Sequence, residues 1–116
     1  MDKPPKPRNL EEKTFLFAQN VRRFVRVLPR TISNIEDIKQ LVRASGSVAA
    51  NWIEADEALS KKDFAMRTKI CRKEAKESRL FLRLVEVKPD QTNERDELVQ
   101  EAYELTLIFS SILKNT

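Results

Sequence analysis

Polar side chains recur three residues apart at two places in the chain, Asn51 with Glu54 and Glu74 with Glu77. On a helix that spacing puts both members of a pair on one face. The carboxylates Glu54 on one helix and Glu74 and Glu77 on another resemble the ligand set of di-iron bundles, but those sites also take a Glu-x-x-His motif from each of two helices. The sequence contains no histidine, and Cys71 is its single cysteine. These two counts exclude a Ser-His-Asp triad, a Cys-His nucleophile, a histidine-ligated zinc and a redox CxxC. The expectation for Glu54 or Glu77 is pairing with Arg43, Arg72 or Lys73 in or beside a helical core. Arg43, Asn51, Glu54, Glu77 and Ser78 then form a structural polar network, with no catalytic residue, metal or cofactor. Metal chemistry on Glu54, Glu74 and Glu77 is the enzymatic alternative, and elemental analysis tests it. Cys71 lies among small and apolar positions and reads as a buried structural thiol.

The second chemistry-bearing feature is charge. The 116 residues carry a net charge of +4, unevenly spread. Residues 1–30 hold eight basic and three acidic groups, 31–59 two and five, 60–89 ten and four, and 90–116 two and six. Basic and acidic segments therefore alternate. Arg22, Arg23 and Arg26 in the first segment, with Lys69, Arg72, Lys73, Lys76, Arg79 and Arg83 in the third, are candidates for neutralising nucleic-acid phosphates. The competing reading is that the alternation serves only to pair neighbouring helices and disfavour wrong pairings. Aromatic residues interleaved with the third basic run amount to Phe64 and Phe81, which is sparse for a base-stacking platform.

The elements that position these groups are four helices. Leu10, Thr14, Phe17, Val21, Phe24 and Leu28 repeat at spacings of four and three, and so do Ile38, Leu41, Ser45, Val48, Trp52, Ala55 and Leu59. Phe64, Thr68, Cys71, Ala75, Ser78, Leu82 and Val85 form a third stripe, and Leu98, Ala102, Leu105, Phe109 and Ile112 a fourth. Capping pairs Asn9/Glu12, Ser33/Glu36 and Ser60/Asp63, with Pro29 and Pro89 as stops, predict helices over about 9–28, 33–59, 61–87 and 92–114. Similar lengths and short connections predict an all-α, antiparallel up-down-up-down bundle, and the near-3.5 repeat predicts left-handed supercoiling. Gly46, amid Ala44, Ser45, Ser47, Ala49 and Ala50, suggests close backbone approach by a neighbouring helix. Residues 1–8 read as a disordered basic, Pro-rich tail. No apolar run is long enough to cross a membrane and no secretory leader is evident, so a reducing cytoplasm is the expected location. Trp52 and Ile53 straddle the seam's edge, so one of them is expected to face outward at a subunit contact. Phe81, Leu80 and Leu84 also lie beyond the narrow seam of the third helix, which points to a homo-oligomer.

The segment QLVRASGSVAANWIEADEALSKKDF, with KICRKEAKES after it, resembles the bacterial four-helix-bundle family first noted in intervening sequences of large-subunit ribosomal-RNA genes. Leu41, Arg43, Ser45, Ser47, Asn51, Glu54, Ser60, Phe64, Ala75 and Ser78 carry the resemblance, strongly over residues 31–87. Ala55 and Phe81 stand where the family commonly has Gly and Glu. The resemblance implies an up-down bundle assembled as a ring, with a pentamer favoured, and no catalytic activity. A related branch, the accessory proteins of diversity-generating retroelements, forms basic pentameric barrels that bind nucleic acid and a reverse transcriptase. The expected function is thus a non-enzymatic oligomeric module binding RNA, DNA or a ribonucleoprotein through helices one and three. The alternative is a structural or protein-partner scaffold without nucleic-acid binding.

Overall fold

The computed structural model of the chain describes residues 5–116, with side chains from Leu10 onward, and every regular element among them is helical. The α-helices are α1 (Pro5–Val25), α2 (Ile32–Asp56), α3 (Lys61–Leu84) and α4 (Thr92–Lys114), the last preceded by a 3-10 turn over Pro89–Gln91. Helix α1 packs on α2 and α4, and α3 packs on α2 and α4. The two diagonal pairs, α1 with α3 and α2 with α4, make no backbone contact among the described residues. The helices thus form a bundle whose ring of neighbours follows chain order.

The core is made by the four stripes. Leu10, Thr14, Phe17, Val21, Phe24 and Leu28 of the α1 segment are all buried, as are Leu41, Ser45, Val48, Trp52 and Ala55 of α2. Thr68, Cys71, Ala75, Ser78 and Leu82 of α3 meet Leu98, Ala102, Leu105 and Phe109 of α4. At one end the Trp52 ring lies 6.0 Å from the rings of both Phe64 and Phe109. Ile53, not Trp52, is the outward residue, at 48% exposure.

Several boundaries differ from those the sequence suggests. Helix α1 begins at Pro5, so Asn9 lies inside it and does not cap it. Pro5 and Pro7 fit the first turn because N–H groups there have no helical acceptor to lose. Of the expected tail, residues 5–8 are helical and 1–4 lie outside the described residues. The helix stops at Val25 rather than 28, since Pro29 cannot donate to the Val25 carbonyl and its ring crowds that oxygen. Pro89 stands in the same relation to Val85, and α3 ends at Leu84 rather than 87. Helix α2 is capped by Thr31, whose hydroxyl accepts from the Asn34 N–H at 3.1 Å; Ser33 is in the first turn. That helix ends at Asp56, leaving Leu59 fully exposed instead of on the seam. Ser60 does cap α3, accepting from the Asp63 N–H at 3.0 Å. Gly46 has ordinary helical backbone. What occupies the space beside it is the Arg22 guanidinium, with Nη2 placed 2.9 Å from where a Cβ would stand. A side chain approaches Gly46, not the backbone of a neighbouring helix.

Candidate nucleic-acid interface

Helix α3 has two edges, one against α2 and one against α4, and its charges divide between them. On the α2 edge, Arg43 Nη1 donates to Glu74 Oε1 at 3.3 Å and Nη2 to Glu77 Oε1 at 2.9 Å. Lys73 Nζ approaches the same two carboxylates at 3.3 and 3.7 Å. Glu74, with its side chain 6% exposed, is the buried centre of this group, and a buried carboxylate requires such partners. About two turns further along, Arg67 Nη1 donates to Asn51 Oδ1 at 3.1 Å, and Asn51 Nδ2 to the Ser47 hydroxyl and carbonyl. Ser78 donates within its own helix to the Glu74 carbonyl at 2.8 Å, and Glu54 is exposed.

Asn34, wholly buried, closes this edge. Its Nδ2 donates to the Pro29 and Glu86 carbonyls, both at 2.9 Å, and its Oδ1 accepts from the Glu86 N–H at 2.8 Å. Sequence spacing does not single out Asn34, because its partners are 5 and 52 residues away. The Cys71 thiol is buried and donates weakly to the Val48 carbonyl at 3.6 Å. Burial pushes its pKa up to about 12, against smaller opposing contributions from its backbone hydrogen bond and Arg67.

The α4 edge of α3 is different. Lys69, Arg72, Lys76, Arg79 and Arg83 follow at spacings of three, four, three and four, which sets all five on one face. None has an acidic partner among the described residues. Lys69, Lys76 and Arg83 are exposed, while Arg72 and Arg79 are half-buried. The Arg79 guanidinium carbon lies 5.3 Å from the centroid of the Tyr103 ring, and its Nε is buried without a partner. Tyr103 shares its edge of α4 with Val99, Thr106 and Ser110, again at four, three and four, and none is acidic. Asp96, at the end of that edge, accepts from Arg95 Nε at 2.9 Å. Most of α4's negative charge lies elsewhere, on Glu94, Glu97, Glu101 and Glu104. Burial pushes the Glu101 carboxyl above its usual range; Lys13 of α1 opposes this, while Glu104 and Glu97 add to it. This acidic stripe therefore faces α1, away from the basic edge.

The α1 arginines are not brought to α3. Arg22 is spent on packing: Nη1 donates to the Ala18 carbonyl at 3.1 Å and the Ser45 hydroxyl at 3.5 Å, and Nη2 to the Val42 carbonyl at 3.3 Å. Arg23, on the helix diagonal to α3, and Arg26, in the turn just after it, are both exposed. Of the nine basic residues singled out by sequence, five thus form one continuous edge. Arg22 and Lys73 are engaged within the protein, and Arg23 and Arg26 stand apart. Among the described residues no group of three or more acidic or cysteine side chains is placed to hold a metal, and no helix is long and apolar enough to cross a membrane.

Comparison with known proteins places this geometry in context. The family model described as "23S rRNA-intervening sequence protein" matches residues 9–111. No curated protein matches the sequence. Among solved structures, a protein of unknown function from the S23 ribosomal protein family of Bacteroides thetaiotaomicron is similar at a TM-score of 0.81 and 26% identity. The match covers 94% of this chain and 98% of that one.

Proposed function

The chain belongs to the 23S rRNA-intervening sequence protein family, and from that premise we propose a non-enzymatic, homo-oligomeric module that contacts nucleic acid or a ribonucleoprotein through the α4-facing edge of α3. The observation that carries this reading is the row Lys69, Arg72, Lys76, Arg79 and Arg83, five cations on one face with no acidic partner among the described residues. Unpaired cations in a row are electrostatically costly to keep together and gain most from a polyanion. The family description, which names a ribosomal-RNA intervening sequence, adds support. Titration of the protein with single- and double-stranded RNA and DNA at two salt concentrations tests the reading. Affinity that falls steeply with salt is expected; undetectable binding at low salt overturns it.

In this reading the bundle is up-down-up-down with left-handed supercoiling. Contacts joining residue 34 to 86, 43 to 77, 48 to 71 and 51 to 67 support opposite directions for α2 and α3. Assembly into a homo-oligomer is supported by large apolar side chains left exposed, among them Phe15, Ile35 and Ile53 on α1 and α2 and Leu80 and Leu84 on α3. A ring of five is the size the family resemblance implies, and light scattering coupled to size exclusion measures it. The same exposed side chains favour a second reading, a scaffold for a protein partner in the cytoplasm. Under it, neutralising the α3 edge leaves function intact.

A further inference from the structure

Resting on the nucleic-acid reading above, we infer that the α3–α4 edge is a phosphate track for a duplex, holding the sugar-phosphate backbone and reading no base. Three observations lead there. First, the cations are spaced three or four residues apart on a single uninterrupted helix. From Lys69 to Arg83 is 14 residues, or about 21 Å at ~1.5 Å per residue. The two strands of a duplex together carry a charge about every 1.7 Å of axis, so the row overlies a length bearing roughly twelve phosphates, more than its five cations need.

Second, the edge has no free stacking surface. Binders of single strands lay successive bases on aromatic rings. Tyr103 is the exposed aromatic of this edge, and the Arg79 guanidinium already lies over its ring at 5.3 Å. Phe15, also exposed, is on α1, diagonal to α3. Third, the ring limits the freedom of Arg79. A planar guanidinium held against an aromatic face loses less entropy when its outer N–H groups meet a phosphate. Tyr103 thus acts on a ligand through Arg79 and is a positioning residue. The neighbouring Val99, Thr106 and Ser110 present no carboxylate to repel a phosphate.

The test uses the full chain, a fluorescent 20-base-pair duplex of mixed sequence and one of its separated strands, with anisotropy read between about 50 and 200 mM salt. Five neutralised phosphates predict a slope of log K on log salt near −4.5 for the duplex, a loss of about 500-fold over this range for each engaged subunit. Lys76→Gln and Arg83→Gln each make the slope shallower by about 0.9, whatever the duplex sequence. Tyr103→Leu weakens duplex binding less than about fivefold, because it removes only the seat beneath Arg79. Tyr103→Phe, which keeps the ring, binds as wild type, and thermal melts verify that each variant is folded. Tighter binding of the separated strand, or a loss of tenfold or more in Tyr103→Phe, overturns the track while nucleic-acid binding itself stands. Absence of binding to both probes at 50 mM salt overturns the track together with the reading beneath it.

Discussion

The two edges of α3 carry nearly the same number of charged groups and use them in opposite ways. Toward α2, each cation meets an acceptor: Arg43 and Lys73 share Glu74 and Glu77, and Arg67 meets Asn51. Toward α4, five cations stand in a row beside Val99, Tyr103, Thr106 and Ser110. A saturated edge specifies how two helices sit together, because moving either one strands a buried polar group. On the unsaturated edge the internal contact is Arg79 over the Tyr103 ring, and the charge of the row has no acidic partner among the described residues. Paired and unpaired charge are thus separated across one helix, about half a turn apart.

The sharpest way to break the contrast is to damage the saturated edge. Asn34→Ala removes three side-chain hydrogen bonds and strands the Glu86 N–H, so a loss of about 3 kcal/mol is expected in urea unfolding. A change below about 1 kcal/mol would mean that water replaces the amide without cost. Arg43→Ala comes next. It leaves Glu74, nearly buried, with Lys73 alone, and about 2 kcal/mol is expected once the half-exposure of Arg43 is allowed for. Arg43→Ala combined with Glu74→Gln should cost less than the sum of the two single changes, since the stranded charge is then gone.

These residues also show what a sequence can disclose. The α1 stripe from Leu10 to Leu28 is legible because burial of one helix face is a local, periodic property. So is the Ser60 cap, whose acceptor and donor lie three residues apart. The start of α2 is less legible: Thr31 and Ser33 are both good caps, and the frame is selected by Asn34 reaching Glu86, 52 residues away. The row of α3 cations is visible as a charge run, but its division is not. Lys73 and Lys76 differ only in which neighbour their face meets, and that is a fact of packing. Arg22 reads as a surface cation for the same reason, although its guanidinium fills the space beside Gly46.

That space yields a prediction of smaller size. Gly46→Ala gains about 1 kcal/mol of helix propensity and forces Arg22 Nη2 away from a position 2.9 Å from the new Cβ. The obstacle is the tip of a flexible, exposed side chain, so a net gain of under 1 kcal/mol is expected. A loss larger than that would make Arg22 a clasp between α1 and α2 rather than a filler. On the unsaturated edge, Lys76→Gln and Arg83→Gln should shift stability by no more than about 0.5 kcal/mol, because they break no internal partnership. A larger destabilisation would show that the row is paired in the folded protein and would erase the contrast between the edges.

The acidic stripe on the far side of α4 supplies the subtlest test. Burial holds the Glu101 carboxyl above its usual 4.5, with Lys13 opposing and Glu104 and Glu97 reinforcing the shift. A group whose folded pKa is raised contributes stability that is fully present below the unfolded value and is lost as pH rises through the folded one. Ionised Glu101 is therefore a burden at neutral pH. Glu101→Gln, which cannot ionise, should be more stable than wild type at pH 7 and equal to it at pH 3, as read from paired urea curves. If the variant is instead weaker at pH 7, attraction to Lys13 outweighs burial and repulsion. The α1–α4 edge would then belong with the saturated edge, and the row on α3 would stand apart from both as cations without an acidic partner among the described residues.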